Sequence, residues 1–273
     1  MTFTKVAFKC AITLFYSVLF MSSGCGNGNS STSDNAEGKV DVEGDVSINL
    51  PVPNNQNSED YKIILYGNSH ISGVGSMIKQ LIEQSTPGTE VETSSHTGGF
   101  LDDFYVSTHA RNKLIDSTWT HAIFQGQKYS QSQSRIYSTL ETEKWLALAK
   151  EYNITPILFP EHPQYGNHDE GEYVHGIHQG IVERQASCLA PVGLVWDRVL
   201  SLYPDTALHS PDGNHASYLG TYLTSLVFYE MVSGRSADLL GYNPEIDVSI
   251  SQQQAFGQIV SQVIEENKAC PWS

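Results

Sequence analysis

The stretch Ile63-Ile64-Leu65-Tyr66-Gly67-Asn68-Ser69-His70-Ile71-Ser72-Gly73 decides how the chain is read. Three aliphatic residues and a tyrosine make a continuous apolar run, the pattern of a strand buried on both faces. A glycine breaks the run, Asn-Ser-His follows, and Met77-Ile78-Lys79-Gln80-Leu81-Ile82 resumes with helical spacing. A serine at the tip of a buried strand, just ahead of a helix, has two readings. It is an N-cap, or it is a nucleophile.

Working outward, strand and helix patterns alternate. Residues 62–66, 89–93, 120–124 and 155–159 read as strands, with 206–209 as a fifth and poorer one. Helical patterns cover 77–84, 100–117, 134–152, part of 180–203, and 217–233 between a Ser217 N-cap and a Gly234 C-cap. Such alternation with short links predicts an α/β fold, a doubly wound, mostly parallel five-stranded sheet with helices on both faces. In these sheets the chemistry collects at the carboxyl ends of the strands. That rule puts Ser69, Gly98, Gln125 and the pair Glu161-His162 on one rim.

A serine hydroxyl is a poor nucleophile until a base takes its proton, and a carboxylate commonly fixes the tautomer of that base. Ser210-Pro211-Asp212-Gly213-Asn214-His215-Ala216-Ser217 supplies both partners. The Asp-x-x-His spacing on a turn lets the Asp212 carboxylate reach Nδ1 of His215, leaving Nε2 to face a serine. Gly213 gives that turn a permissive backbone.

Gly67-Asn68-Ser69 and the run from Asp212 to Leu223 together resemble the first and last blocks of the SGNH (GDSL-type) hydrolases. The likeness covers the chain from about residue 61 to residue 234. It implies a three-layer, flavodoxin-like α/β sandwich with Ser69 as nucleophile, His215 as base and Asp212 as its orienter. It also implies an oxyanion hole built from the Ser69 N–H, a glycine of the second block and an Asn of the third. His96-Thr97-Gly98-Gly99-Phe100 matches the second block, with Gly98 preferred to Gly99. The third block departs, since Phe124-Gln125-Gly126-Gln127 has no Asn. It is similar to the Gln-Gly-Glu of carbohydrate-esterase branches, where Gln takes the Asn role; Gln125 is assigned to it and Gln127 is the other candidate. The activity implied is hydrolysis of carboxylic esters through an acyl-enzyme, O-acetyl groups on carbohydrates among them, with no metal or organic cofactor. A lipase or thioesterase of the same fold is one alternative. A non-catalytic, glycan-binding envelope lipoprotein is another.

Asn68, His70, Gln127, Glu161 and His162 are further candidates for contact with substrate. His162, His168, His175 and His178, interleaved with Asp169, Glu170 and Glu172, read as a polar loop whose spacing lacks a zinc signature. Trp119, Trp145 and Trp196 are read as packing residues.

The N-terminus carries Lys5 and Lys9, then an apolar run from Ala11 to Met21 that is short for a membrane span. Ser22-Ser23-Gly24-Cys25 resembles a lipoprotein signal, although Ser22 stands where Leu is usual. The expected organisation is a signal peptide over 1–24, lipidation at Cys25, a flexible Gly/Asn/Ser-rich tether over 25–59 and one domain over 60–273. Gly26, rather than Asp, after the cysteine implies an outer-membrane anchor, periplasmic or surface-facing. In that oxidising setting Cys188 and Cys270 are expected to pair. Thirty acidic and fifteen basic residues give a formal net charge of -15. With no basic stripe, this excludes nucleic acid as a partner and leaves a small-molecule or carbohydrate ester. Membrane contact is expected only through the lipid anchor.

Overall fold

The structure, a computed structural model, describes residues 48–272. The expected signal peptide, Cys25 and most of the tether lie outside the described residues.

Five parallel strands form one sheet: β1 (Tyr61–Gly67), β2 (Val91–Thr97), β3 (His121–Gln125), β4 (Thr155–Phe159) and β5 (Cys188–Leu189). Their order is β2-β1-β3-β4-β5, so the winding direction reverses between β1 and β3. This is the flavodoxin-type order, whose ligand crevice opens at that reversal. Side chains along β1 alternate between two cores, as the two-residue period of a strand requires. Ile63 and Leu65 join the core that contains residues of α1 (Val74–Ser85), α6 (Val192–Leu202), α7 (Tyr218–Ser233) and α8 (Ile250–Asn267). Ile64 and Tyr66 join the opposite core, with residues of α2 (Leu101–Tyr105), α3 (Thr108–Ile115), α4 (Leu140–Glu151) and α5 (Glu170–Arg184). The three layers predicted from the alternating pattern are therefore present. Trp145 and Trp196 are fully buried and Trp119 nearly so, consistent with packing roles.

Several boundaries differ from the sequence reading. The fifth strand is Cys188–Leu189, not residues 206–209; that segment makes only an isolated antiparallel bridge, His209 to Ala216. A two-residue strand is too short to show a period. The polar, histidine-bearing stretch is largely helix: α5 begins at Glu170 and buries His175 and His178. The 100–117 pattern splits into α2 and α3, because the Ser107 hydroxyl caps a fresh helix at Ala110. α4 starts only at Leu140, after a Ser/Gln-rich run too polar to pack. α8 has no counterpart in the sequence reading. Its glutamines mask an apolar stripe of Phe256, Ile259, Val260, Val263 and Ile264, spaced as one helical face.

The end of the expected tether is bonded to the domain rather than free. Asn55 Nδ2 donates to the carbonyls of Thr120 and Asn153, both at 2.9 Å. Gln56 donates to the Met231 carbonyl at 3.0 Å, and Asn49 Oδ1 accepts from the buried Lys150 Nζ at 2.7 Å. The domain thus begins about ten residues earlier than its apolar pattern suggests.

Cys188 and Cys270 are disulfide-bonded across 82 residues. Closing a loop of that length in the unfolded chain is worth about 4 kcal/mol in the chain-entropy account. Reduction, or the Cys188→Ser variant, is expected to lower the urea midpoint correspondingly without changing far-UV ellipticity. An unchanged midpoint would show that the bridge does not constrain the unfolded chain.

Candidate active site

β1 ends at Gly67 and the chain turns at once into a short 3-10 segment over Ser69–Ile71. Asn68 caps that segment, its Oδ1 accepting the His70 N–H at 3.0 Å. Ser69 stands exposed at the head of the turn. Its Oγ lies 2.7 Å from His215 Nε2, and His215 Nδ1 lies 2.6 Å from Asp212 Oδ2. An ionised carboxylate only accepts, so Asp212 keeps the imidazole proton on Nδ1 and leaves Nε2 as the acceptor for the serine hydroxyl. The residues of one predicted triad therefore meet at the sheet rim across 146 positions of chain.

The acid is held by its own turn. Asp212 Oδ1 accepts the backbone N–H groups of Asn214 and His215 at 2.9 and 3.0 Å. The His215 backbone amide, the His215 ring and the Asn214 amide hold the Asp212 carboxyl well below the usual carboxylate range. Gly213, at φ +72°, takes the left-handed conformation the turn needs. Behind this turn, the segment after β4 forms a brace. His162 Nε2 donates to the Asn214 carbonyl at 3.0 Å, Gln164 donates to Asn214 Oδ1 at 3.0 Å, and the Tyr165 N–H donates to the Gly213 carbonyl at 2.8 Å. His162 itself lies flat on Trp196, with ring centroids 3.9 Å apart. Burial pushes its imidazole down to about 3, so it stays neutral at any working pH. His162 is thus a support of the acid turn rather than a substrate contact, because it is buried and its Nε2 is already bonded.

The assigned oxyanion donors fare unequally. The Ser69 N–H has no acceptor among the described residues, as a donor to substrate requires. The Gly98 N–H donates to the Gly67 carbonyl at 3.2 Å, prolonging the β1–β2 ladder, and is spent. The Gly99 N–H, the alternative, makes no hydrogen bond among the described residues. Gln125 is fully buried; its Oε1 accepts the Asn68 N–H at 2.8 Å and its Nε2 donates to Glu161 Oε2 at 2.6 Å. Gln127 turns away, donating to the Lys128 and Ser138 carbonyls and accepting from Thr142. Neither glutamine offers its amide as the block resemblance implies. Asn is shorter than Gln by one methylene; here the longer stem carries the amide past the site, to a carboxylate on the next strand end.

Two clefts flank Ser69. One of about 830 Å³ is lined by Asn68, His70, Phe100, Lys128, Tyr129 and neighbouring residues, with Glu161 at its wall. The other, about 480 Å³, lies among Ser69, Ser72, Met77, His215, Tyr218 and Thr221. A further cleft of about 1000 Å³, between α5, α6 and α8, is lined by none of Ser69, Asp212 and His215. His70 separates the two flanking clefts, stacked 5.5 Å from His215 and edge-on to His162. Burial lowers its pKa, although Glu161 opposes the shift. Among the described residues, no group of three or more His, Cys, Asp or Glu side chains is arranged to hold a metal ion.

Sequence reasoning missed the brace at residues 162–165 and the Tyr129–Glu170 bond that anchors its far side, where Glu170 also accepts the Gln164 N–H. Residues 162–165 and Tyr129 lie in irregular chain and Glu170 at the first position of α5, with no motif to announce them. Since the depressed Asp212 carboxyl stays ionised until well into acid, its contact with His215 is present above the ordinary aspartate range. That contact is lost only as pH falls through the lower, folded-state value. A carboxyl ¹³C titration should give Asp212 a midpoint below the ordinary aspartate value of about 3.9. A midpoint at or above that value would mean the turn does not hold the carboxylate.

No protein-family model matches the sequence, and no curated protein matches it. Solved structures do. A DUF4886 family protein from Bacteroides uniformis superposes with a TM-score of 0.63 at 13% identity, over 77% of this chain and 97% of that one. A candidate SGNH hydrolase from Slackia heliotrinireducens superposes with a TM-score of 0.51 at 18% identity, over 63% of this chain and 98% of that one. At such identities the likeness speaks for architecture. With the parallel sheet and its strand order, it shows that this chain has the fold of the SGNH hydrolases.

Proposed function

We propose that the protein is a serine esterase, hydrolysing carboxylic esters through Ser69, His215 and Asp212. The observation that carries this reading is the unbroken hydrogen-bond chain of 2.7 and 2.6 Å from hydroxyl to imidazole to carboxylate. His215 Nε2 takes the Ser69 proton as Oγ attacks the ester carbonyl. The bond to the alcohol breaks as that proton passes to the leaving oxygen, and the acyl group stays on Ser69. Water, deprotonated by the same nitrogen, then releases the acid and regenerates the serine. Asp212 holds the imidazole orientation and stabilises the imidazolium that forms. We assign the Ser69 and Gly99 N–H groups to the developing oxyanion, each worth about 3 kcal/mol to the transition state.

For the substrate, the polar cleft beside Asn68 and Lys128 favours a hydroxyl-rich alcohol, and we read the substrate as an acylated carbohydrate. The smaller cleft mixes Met77 with serines, a threonine and a tyrosine, which disfavours a long acyl chain and so a lipase. The leader and Cys25 support an enzyme carried to the outer membrane on a lipid anchor. The triad disfavours a purely glycan-binding role.

Ser69→Ala is expected to lower kcat on p-nitrophenyl acetate by at least about 10³-fold, while dialysis against chelator leaves the wild-type rate unchanged. Equal rates for wild type and variant would remove the esterase reading. Release of acetate from acetylated polysaccharide should outpace release of palmitate from its p-nitrophenyl ester; the reverse order would replace carbohydrate with lipid.

A further inference from the structure

Glu161 follows β4 and takes no part in the proton chain, yet it touches the residues around it. Its Oε2 accepts from Gln125 Nε2 at 2.6 Å and stands 3.9 Å from His70 Nε2. Gln125 is fully buried, and its other end accepts the Asn68 N–H at 2.8 Å. A primary amide has one donating and one accepting end. A carboxylate can only accept and a backbone N–H can only donate, so Glu161 and Asn68 together fix which way the amide faces. The amide is also wedged from below: a Cβ on Gly67 would lie 2.3 Å from Gln125 Oε1, so only a glycine ends β1 there. Asn68 is the residue before Ser69, and its own side chain caps the turn that presents the hydroxyl.

We propose that Glu161 is a positioning residue: through Gln125 it clamps the Asn68 peptide and so holds Ser69 in line with His215. In this arrangement Gln125 is a strut beneath the nucleophile and not an oxyanion donor. The link runs from the end of β4, through the end of β3, to the end of β1. It therefore couples three neighbouring strand termini at the place where the winding reverses. Losing the Glu161 carboxylate frees Gln125 to turn over, and the turn loses the Gln125 Oε1 acceptor for the Asn68 N–H. The kinetic consequence rests on the esterase reading; the structural one does not.

Two variants and two measurements test it. Glu161→Ala is expected to lower kcat on p-nitrophenyl acetate about 10- to 100-fold, as a small misplacement of a nucleophile does, with KM changed less than about twofold. Glu161→Gln is expected to restore kcat to within about threefold, because its carboxamide oxygen accepts the same N–H. If Gln125 were instead a direct oxyanion donor, freeing it would leave Glu161→Ala as fast as wild type or faster, and the proposal would fall. Amide hydrogen exchange at Asn68 supplies a readout independent of activity. It should quicken at least about tenfold in Glu161→Ala and stay near wild type in Glu161→Gln. Unchanged exchange in Glu161→Ala overturns the clamp. If exchange responds while the wild type hydrolyses no ester, the clamp stands and the esterase reading fails. Should Glu161→Ala not fold, Glu161→Asp, one methylene short of Gln125, is read by the same criteria.

Discussion

The site depends on a carboxylate that is fully occupied by its own turn. Asp212 takes two backbone N–H groups on one oxygen and the imidazole N–H on the other. A side chain with three donors aimed at it has little freedom to rotate, and neither has the ring it holds. That economy matters because Asp212 is exposed and no buried wall fixes it. Hydrogen bonding substitutes for packing there, and the neutral, stacked His162 secures the back of the turn without adding charge to the site.

Ser69 is held by the opposite strategy. It follows a strand buried on both faces, and the peptide before it is pinned by a buried amide. The reversal of winding between β1 and β3 leaves a gap above the sheet, and the ends of β1, β3 and β4 converge on it. One half of the site thus rests on the rigidity of the core and the other on a self-satisfied loop. They meet at a single hydrogen bond, between Ser69 Oγ and His215 Nε2.

How much was legible follows from these two strategies. Ser69, Asp212 and His215 were readable because their types and local spacings are set by chemistry: a strand-turn-helix for the first, Asp-x-x-His for the others. β1, β3 and β4 were readable as short apolar runs bounded by turn residues, as strands at the centre of a parallel sheet are. The polar edge strand β2 was placed only roughly, at 89–93 instead of Val91–Thr97. β5 was not, since two residues carry no period. Nor was α8, whose glutamines dilute its apolar stripe. The roles of Gly98 and Gln125 were drawn from resemblance, and resemblance transmits residue type without the direction in which an amide points. That direction depends on Glu161, 36 positions further along, which no local pattern ties to Gln125. His162 was placed on the right rim, but whether its ring faced solvent or Trp196 depended on a helix 34 residues later.

The bond between Cys188 and Cys270 does more than shorten the unfolded chain. β5 is the outermost strand, and the N–H of Leu189, pointing away from β4, donates to the carbonyl of Ala269 at 2.7 Å. The neighbouring Ala190 N–H donates inward, to Leu158. The C-terminal segment therefore lies along the sheet's margin as a backbone partner, and the disulfide one residue away keeps it there. An unguarded margin is a template on which a second molecule can build. With its own tail covalently fastened over that margin, this protein denies the template at β5 to its neighbours.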